Sequence, residues 1–374
     1  MKRFFKNAIL TAGVAALGFQ AQAQITIAPD NDSDFKLKFI GRTNLDAGTF
    51  LNKNNGDYID NGIVINDTRL GFVGTKDKWE GKVEICYTGG KISFRDVTMK
   101  YSFNEHSKLT FGHQFMPYGI KLTGINYKFV EDPSVDLTFC PARKLGVNYL
   151  YTSDKFNFST GIYSDGKVDE GNSAVNQGVN LAAQLIYRPI YDETTVLHFG
   201  GAFLHTDSPT NPSFSGSVPV QFATGSRTFV KTGDIDAPNY QRYEIQALFI
   251  KERFLIEAHY MGANVNTRVD GAEDKFSGFW AQTSYQLIGE QQKYNKTTAL
   301  PTASAPGTLE ILARFDNLNL GDYGVENDVE IGLNYFINKH FNVRLNYVVA
   351  SFKDRPGKDD ETFNAIQTRL QFSF

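Results

Sequence analysis

The sequence is poor in the residues that most enzymes and metal sites depend on. It has two cysteines, two tryptophans and six histidines among 374 residues. The histidines are scattered, and no His, Cys or carboxylate cluster has the spacing of a metal site. A G-x-S-x-G nucleophile motif is also missing, and His259 shares a face with Glu257 without a positioned serine. We therefore expect no catalytic activity and no cofactor.

Long apolar runs are also missing beyond the amino terminus. After residue 23, no stretch approaches the roughly 18 apolar residues that a membrane helix needs, which excludes a helical membrane protein. An excess of positive charge is missing too, since 38 basic residues face 41 acidic ones. Nucleic acid is therefore not an expected partner. A soluble domain or a β-barrel remains.

The amino terminus has the pattern of a secretory signal peptide. Its sequence "MKRFFKNAILTAGVAALGFQAQAQ" carries Lys2, Arg3 and Lys6, then an uncharged run over 8–19, then Ala-Gln-Ala. We place the cut after Ala23, which leaves residues 24–374 as one exported domain. The three positive charges indicate export from a bacterial cytoplasm, and the lack of a cysteine near the cut disfavours a lipoprotein.

What the sequence has in abundance is aromatic residues and glycine in period-2 segments. It contains 31 Phe, 18 Tyr and 33 Gly. Segments such as "VEICYTG", "KLGVNYLY" and "FNVRLNYVV" are apolar on one side only, and about sixteen of them follow one another with little helical pattern. Their connections alternate between short and long, except at "YTGGKIS" and at 289–307. This pattern predicts an all-β transmembrane antiparallel barrel of about 16 strands, with a soluble β-sandwich as the weaker alternative.

The carboxyl terminus supports the barrel. In "IQTRLQFSF", Ile366–Phe374, apolar and polar residues alternate up to the last residue, where a chain end normally frays. In a barrel the last strand pairs with the first, here "FKLKFIGRTNL", so that no edge remains.

One stretch is specific enough to resemble a known family. Residues 66–151 contain "INDTRLGFVGTKDKWEGKVEICYTGGKISFRDVTMKYSF", "LTFGHQFMPYGIK" and "FCPARKLGVNYLY", and a later segment reads "GTLEILARFDNLNL". These segments resemble the phosphate-selective porins of the O and P family. The resemblance implies a trimeric sixteen-stranded barrel in the bacterial outer membrane, with inward-folded loops and basic side chains that conduct anions.

The resemblance implies passive diffusion of small hydrophilic solutes through this barrel, with small anions such as phosphate preferred. The partners it implies are outer-membrane lipid, small solutes or ions, and further copies of the chain in a homotrimer. Two other functions stay open at this point. One is a plugged barrel that acts as an adhesion or structural scaffold, and the other is a non-selective general porin.

The polar face of each strand supplies the candidate pore wall. Its basic residues are Lys36, Lys38, Arg42, Arg69, Lys82, Lys100, Lys144, Arg188, Arg242, Arg314, Arg344 and Arg369. Its acidic residues on the same parity are Glu84, Asp96, Glu244, Glu257, Glu310, Asp316 and Glu330. Charges of this kind face a lumen, because Arg or Lys at the bilayer midplane costs roughly 2 to 4 kcal/mol. The wall is either an anion path or a set of paired charges that brace each other.

The long segment over 116–142 occupies the place of the third outer loop, which folds into the lumen in the family it resembles. It offers Lys121, Lys128 and Arg143 against Glu131, Asp132 and Asp136. This mixed set suits a constriction, with Lys121 and Arg143 as the favoured residues because they flank the best-matched motifs. The alternative is six solvated loop charges.

The two cysteines admit two interpretations. Cys86 lies on the lumen face of "VEICYTG", and Cys140 lies in the third loop. A disulfide between them would pin the loop to the wall in an oxidising compartment. Two unpaired, sheltered thiols are the alternative, and the sequence gives no distance to decide.

Overall fold

The structure, a computed structural model, describes residues 34–51, 61–120, 128–164, 178–207, 211–216, 229–268 and 271–374. The predicted signal peptide, 1–23, lies outside the described residues. Within these ranges no helix is long and apolar enough to cross a membrane.

Sixteen strands form one closed barrel. They are β1 (Lys36–Phe50), β2 (Gly62–Lys76), β3 (Trp79–Thr88), β4 (Lys91–Ser102), β5 (Ser107–Gln114), β6 (Lys144–Thr152), β7 (Phe156–Ser164), β8 (Val179–Tyr191), β9 (Thr195–Asp207), β12 (Asn239–Lys251), β13 (Phe254–Asn266), β14 (Glu273–Ile288), β17 (Leu309–Asn319), β18 (Val325–Phe336), β19 (Phe341–Lys353) and β20 (Glu361–Ser373). The other described elements are two small hairpins, one short α-helix and one 3-10 turn: β10 (Ser213–Ser215) with β11 (Lys231–Asp234), β15 (Tyr294–Asn295) with β16 (Leu300–Pro301), α1 (Ser134–Phe139) and the 3-10 turn Gly321–Tyr323.

The two ends of the chain close the barrel. Strand β20 pairs antiparallel with β1, so that Phe50 faces Ala365 and Arg42 faces Ser373. The last residue is also in register: Phe374 donates its backbone N–H to the Gly41 carbonyl at 3.0 Å and accepts the Gly41 N–H at 3.1 Å. Each barrel strand therefore has two neighbours, as the alternation at the carboxyl terminus predicts.

The period-2 pattern separates an apolar outer face from a polar inner one. On β19, Val343, Leu345 and Tyr347 are exposed on the outside, whereas Arg344 and Asn346 are completely buried inside. The same alternation runs through most of the other strands and is interrupted where β-bulges occur, as between β3 and β4. The barrel thus turns hydrocarbon side chains outward and keeps amides and charges in the lumen, which is the arrangement the sequence predicts.

The connections between strands alternate between short and long as expected, except between β3 and β4 and between β14 and β17. Strands β3 and β4 are joined by Gly89 and Gly90 alone, whose φ values of 59° and 78° fit a two-residue hairpin turn that needs positive φ at both positions. The segment 289–308 lies on the rim of short turns and folds into the lumen. There Asn157 of β7 donates its side-chain amide to the Lys296 and Thr297 carbonyls at 3.1 and 2.9 Å.

The lumen is partly filled from the opposite rim as well. Phe214 of β10 packs against Phe139 of α1 at 6.0 Å between ring centroids and against Phe276 of β14 at 5.3 Å. Together with Trp280 and Met116 they belong to a cluster of buried apolar residues inside the barrel. The main apolar core therefore fixes loops to the wall rather than holding two sheets together.

The two faces predict opposite responses to an added charge on one strand. Phe111 of β5 points outward and is 36% exposed, while its neighbour Thr110 is on the lumen face. We expect Phe111→Arg to lower the free energy of unfolding by about 2 to 4 kcal/mol, because it places a guanidinium in hydrocarbon. Thr110→Arg is the matched control and is expected to change it by less than about 1 kcal/mol, because the lumen is wet. Urea unfolding in lipid vesicles measures both, and equal losses would contradict the assignment of faces.

Candidate functional site

The loop between β5 and β6 crosses the lumen and attaches to one part of the wall. Its helix α1 packs against β13, β14 and β17. Asp316 of β17 accepts the Ser134 backbone N–H and, at 3.1 Å, the Ser134 hydroxyl. The Thr138 hydroxyl donates to the Ser215 carbonyl of β10 at 2.8 Å. The helix is thereby held from its first turn to its last.

Two of the predicted wall arginines hold this loop through its backbone carbonyls. Arg314 donates to the Glu131 carbonyl at 2.9 Å, is ion-paired with Glu330, and lies over the Phe129 ring at 4.5 Å. Arg344 donates to the Phe129 carbonyl at 2.9 Å. Both guanidinium groups are buried under the loop. They are on the lumen face, and the loop covers them.

Lys128 lies in the same contact between loop and wall. Its ammonium group is ion-paired with Glu310 and donates to the Gln292 side chain at 2.8 Å. Its carbonyl accepts the Asn334 amide at 2.7 Å. Because Gln292 belongs to the inward-folded segment 289–308, Lys128 joins the loops of the two rims. Lys121, a favoured residue of the predicted constriction, lies outside the described residues.

The amino-terminal part of the loop is anchored on β12. The Tyr118 hydroxyl donates to the Tyr243 carbonyl at 2.8 Å, and the Gly119 backbone N–H donates to Glu244 at 2.8 Å. Glu244 in turn lies 2.7 Å from Nδ1 of His259, whose ring stacks on Trp280 at 4.2 Å. The buried His259 is therefore part of the loop support.

Since the loop attaches to β12–β19, a cavity remains on the other side, between the loop and the wall of β20, β1, β2, β4 and β5. The cavity has a volume of about 440 Å³. Five arginines line it: Arg42, Arg69, Arg95, Arg143 and Arg369. On the loop side Glu131, Asp132 and Asp136 are among the lining residues, and Asp136 is completely buried. The cavity thus has a basic wall facing an acidic loop.

On β1 and β2, two of these arginines share one carboxylate. Asp67 lies 2.6 Å from Nη2 of Arg42 and 3.0 Å from Nε of Arg69. One negative charge therefore offsets two positive ones at this point. Of the wall residues that the structure describes along the cavity, Asp67 is the one with a carboxylate.

A second shared carboxylate lies on β4. Asp96 is 2.6 Å from Arg143 and 2.6 Å from Lys82. Arg369 of β20 has a partner of its own, because Asp46 accepts from both Nε and Nη2 at 2.7 and 2.6 Å. These pairs fix the direction of each guanidinium without matching every positive charge with a negative one.

Three further predicted basic residues, Lys100, Arg188 and Arg242, are not among the residues that line this cavity. Lys100 pairs with Glu80 at 2.5 Å. Arg188 is buried at the rim of short turns, where it donates to the carbonyls of Ser153 at 2.6 Å and Asp154 at 2.8 Å.

Arg242, also in the predicted set, lies over the rings of Tyr240 and Phe214 at 4.9 and 5.4 Å. Strand parity assigns Lys100, Arg188 and Arg242 to the lumen. The loops decide which lumen side chains border an open space.

Three residues of the cavity wall and its ion pairs are missing from the predicted set. Asp46 and Asp67 have the same strand parity as Arg42 and Arg69, so the pattern contained the signal for both. Arg95 does not, because strict alternation from Asp96 sends it to the outer face. A β-bulge between β3 and β4 changes its direction.

The two cysteines are free thiols, so the proposed disulfide is not formed. Cys86 is completely buried on β3 and donates to Asp67 at 3.1 Å, whereas Cys140 follows α1 and donates to Asp136 at 3.1 Å. Each thiol has its own acceptor, and the loop is held by the hydrogen bonds and ion pairs above. Among the described residues no group of three or more His, Cys, Asp and Glu side chains is arranged to hold a metal ion.

Comparison with known proteins gives one family and a set of similar barrels. The family described as phosphate-selective porin O and P matches residues 37–374. Porin O of Pseudomonas aeruginosa is 21% identical over 400 aligned positions, which cover 92% of this chain and 89% of that protein.

Solved structures share the fold at low identity. The anion-selective porin from Comamonas acidovorans is 14% identical, with a TM-score of 0.60 over 91% of this chain and 100% of its own. The trimer form of OmpT, an outer membrane protein of Vibrio cholerae, is 15% identical, with a TM-score of 0.56 over 91% and 99%.

The thiols give a direct test of the loop position. Cys140 borders the cavity and Cys86 is sealed in the wall, so a water-soluble maleimide is expected to label Cys140 alone in the folded protein and both after unfolding. Burial and the nearby Asp136 raise the pKa of the Cys140 thiol well above its usual value. Labelling should therefore be slow at neutral pH and accelerate as the pH rises, because the thiolate is the reactive form. Mass spectrometry without reductant measures this, and an unreactive pair after unfolding would indicate a disulfide.

Proposed function

Since the chain belongs to the phosphate-selective porin O and P family, we propose that small anions diffuse preferentially through its barrel across the bacterial outer membrane. The chain is an outer-membrane porin with a closed sixteen-stranded barrel. Sixteen strands enclose an aqueous lumen. The direction of transport follows the concentration gradient, and no covalent step and no cofactor are part of the proposal.

The observation that carries the anion preference is the charge distribution around the cavity of 440 Å³. A solute that passes between the loop and the wall meets five guanidinium groups on one side. Among the described residues of that wall, Asp67 alone places a carboxylate on the same space. An anion that loses part of its hydration shell in a narrow passage regains hydrogen bonds from the arginines, whereas a cation does not.

The acidic loop residues give the passage a transverse field at pH values where they are ionised. Glu131 and Asp132 lie across the cavity from the arginines, and Asp136 is buried behind them in the loop. Positive and negative charges on opposite sides orient a polar solute and draw anions towards the wall. We propose that the constriction consists of Arg42, Arg69, Arg143 and Arg369 with these loop carboxylates. Lys82 contributes through its ion pair with Asp96.

We also propose that the protein assembles as a homotrimer. The support is the membership of the porin family and the similarity to the trimer form of OmpT. Each subunit would then carry its own passage, because each chain closes its own barrel.

Planar-bilayer recording of the purified protein tests this function. We expect the conductance to rise in steps as trimers insert, and each trimer to close in three equal steps. In a potassium chloride gradient we expect a reversal potential of the anion-selective sign. The absence of conductance steps would favour a scaffold with a plugged lumen. A reversal potential near zero would favour a non-selective general porin, and one of cation-selective sign would refute the anion preference.

The loop carboxylates make the selectivity depend on pH. Glu131 and Asp132 lie outside the strands, where burial raises the pKa of Glu131 to about 8 and that of Asp132 to about 6, although nearby arginines oppose the shift. Both are neutral below their pKa values and negative above them. The anion preference is therefore expected to fall as the pH rises from about 5 to about 9, because two negative charges appear beside the passage.

The control for this pH dependence is the double variant Glu131→Gln, Asp132→Asn. Its reversal potential should change less than that of the unmodified protein over the same pH range. Any change that the variant still shows comes from the other titratable groups of the cavity. An anion preference that rises with pH in the unmodified protein would contradict the assignment.

A further inference from the structure

Three consecutive inward side chains of β18 end in buried carboxyl groups: Glu326, Asp328 and Glu330. The residues opposite them on β17 are, in the same order, Leu318, Asp316 and Arg314. Arg314 is ion-paired with Glu330. The other three acidic side chains form a carboxyl cluster, which consists of Asp316, Glu326 and Asp328.

The neighbours of this cluster on β19 are apolar. Phe352 lies in register with Glu326, and Ala350 lies in register with Asp328. Both neighbours are buried inside the barrel, and β19 has no charged side chain over 348–352. On β17, Leu318 adds a further apolar side chain opposite Glu326. Strand β19 therefore offers the cluster no counter-charge.

The charged groups that face the cluster are Arg314 on β17 and Glu330 on β18. Arg314 is engaged by Glu330 and also faces Asp132 of the loop. Within the cluster, Asp316 is directly opposite Asp328. Side chains in such positions have Cβ atoms about 5 Å apart, and like charges there destabilise the sheet. The surroundings thus disfavour full ionisation of the cluster.

The hydrogen bonding of the cluster leads to the same conclusion. Both carboxyl oxygens of Glu326 and one of Asp328 are buried and have no hydrogen-bond partner within the described ranges. A carboxylate removed from water without a cation or a donor is very unfavourable, and such a group takes up a proton instead. A protonated carboxyl group also donates, so that neighbouring carboxyl groups satisfy each other. The buried cluster is therefore expected to hold protons.

Two loops that fill this side of the lumen rest on the cluster. Asp316 accepts the backbone N–H and the hydroxyl of Ser134 at the start of α1. Gly216, directly after β10, lies so close to Glu326 that no Cβ atom fits beside the carboxyl group. A hydrogen bond from α1 to the Ser215 carbonyl joins the two loops. Water therefore reaches the cluster only when these loops move.

Loop docking and proton binding are linked as a result. With the loops docked, the buried carboxyl groups hold protons. With the loops displaced, the same groups are hydrated and ionise in the ordinary range of Asp and Glu. Above that range, each proton that the docked state retains shifts the docking equilibrium about tenfold per pH unit towards displacement. The docked state is thus favoured in acid and is lost as the pH rises.

We propose that the carboxyl cluster of β17 and β18 is a proton-operated latch. It keeps α1 and the loop that contains β10 docked while Glu326 and Asp328 are protonated, and it releases them when these groups ionise. The inference rests on the proposed function, because Asp136 and Leu137 of α1 are among the residues that line the cavity. A released loop moves in and out of the passage.

The thiol of Cys140 reports the release, because Cys140 directly follows α1. The test compares its reaction with a water-soluble maleimide in the unmodified protein and in the double variant Glu326→Gln, Asp328→Asn, which cannot ionise at these positions. At about pH 6 the two rates should be equal, whereas at about pH 9 the unmodified protein should react at least about tenfold faster. Ionisation of the thiol itself is common to both proteins and cancels in the ratio.

Single-channel recording in about 1 M potassium chloride is the second measurement, because the Debye length is then about 3 Å and charges beside the passage are screened. The open-channel current of the unmodified protein is expected to be steady at acidic pH and to fluctuate at alkaline pH, as the released loop enters and leaves the passage. The current of the double variant should stay steady at both.

Two control variants separate the latch from other carboxyl groups. Asp322→Asn removes an exposed carboxylate from the turn between β17 and β18, and it should behave like the unmodified protein. Glu131→Gln, Asp132→Asn removes the loop carboxylates that bear on selectivity, and its labelling at about pH 9 should still exceed that of the cluster variant. If the cluster variant does not fold, as judged by its heat-modifiable gel mobility, Glu326→Gln alone is compared, and its labelling rate should fall below that of the unmodified protein.

The latch and the proposed function fail in different ways. Equal labelling rates of the unmodified protein and the cluster variant at both pH values would overturn the latch, even in an anion-selective channel. A steady alkaline current of the unmodified protein would overturn it as well. A reversal potential of cation-selective sign would refute the anion preference, while the labelling ratio would still report whether the loops are released.

Discussion

The whole structure depends on satisfying backbone hydrogen bonds where water is absent. A strand that faces hydrocarbon has no solvent partner for its N–H and C=O groups, so each strand needs a neighbour on both sides. The first and last strands, β1 and β20, are far apart along the chain, and their pairing meets this requirement where the sheet closes. It extends to Phe374, whose backbone exchanges two hydrogen bonds with Gly41. Closure then creates an interior that hydrocarbon cannot reach, and polar residues collect there.

The interior in turn decides where a solute passes. The loop after β5 is attached to β12–β19 by Asp316, Arg314 and Arg344, and the segment 289–308 folds in from the other rim. One side of the lumen is filled by these contacts. The open side is the wall of β20 and β1–β5, where the arginines line the cavity together with Arg143, which directly precedes β6. The asymmetry of the passage is thus a result of loop attachment, and the charges of the wall act on a solute only where the loop leaves room.

The sequence predicts the barrel better than it predicts the site, and particular residues show why. Alternation over β19 assigns Val343 and Arg344 to opposite faces because side-chain direction in a strand has a strict period of two. The same rule places Arg314 and Arg344 in the lumen, but it does not reveal that the loop covers them. That depends on contacts such as Ser134 with Asp316, between residues 182 positions apart, which no local pattern encodes. Arg95 escaped prediction because a single bulge reverses the parity on which the prediction rests.

The wall of this cavity combines the two features that the sequence left as alternatives, an anion path and a set of paired charges that brace each other. A carboxylate that serves two cations, as Asp67 serves Arg42 and Arg69, holds both side chains in place and still leaves a surplus of positive charge. A buried cation without any partner would be costly, and a fully neutralised one would attract nothing. Sharing gives rigid arginines with residual charge. Asp96 repeats the arrangement with Arg143 and Lys82, so the wall that borders the passage is ordered by the same pairs that leave it basic.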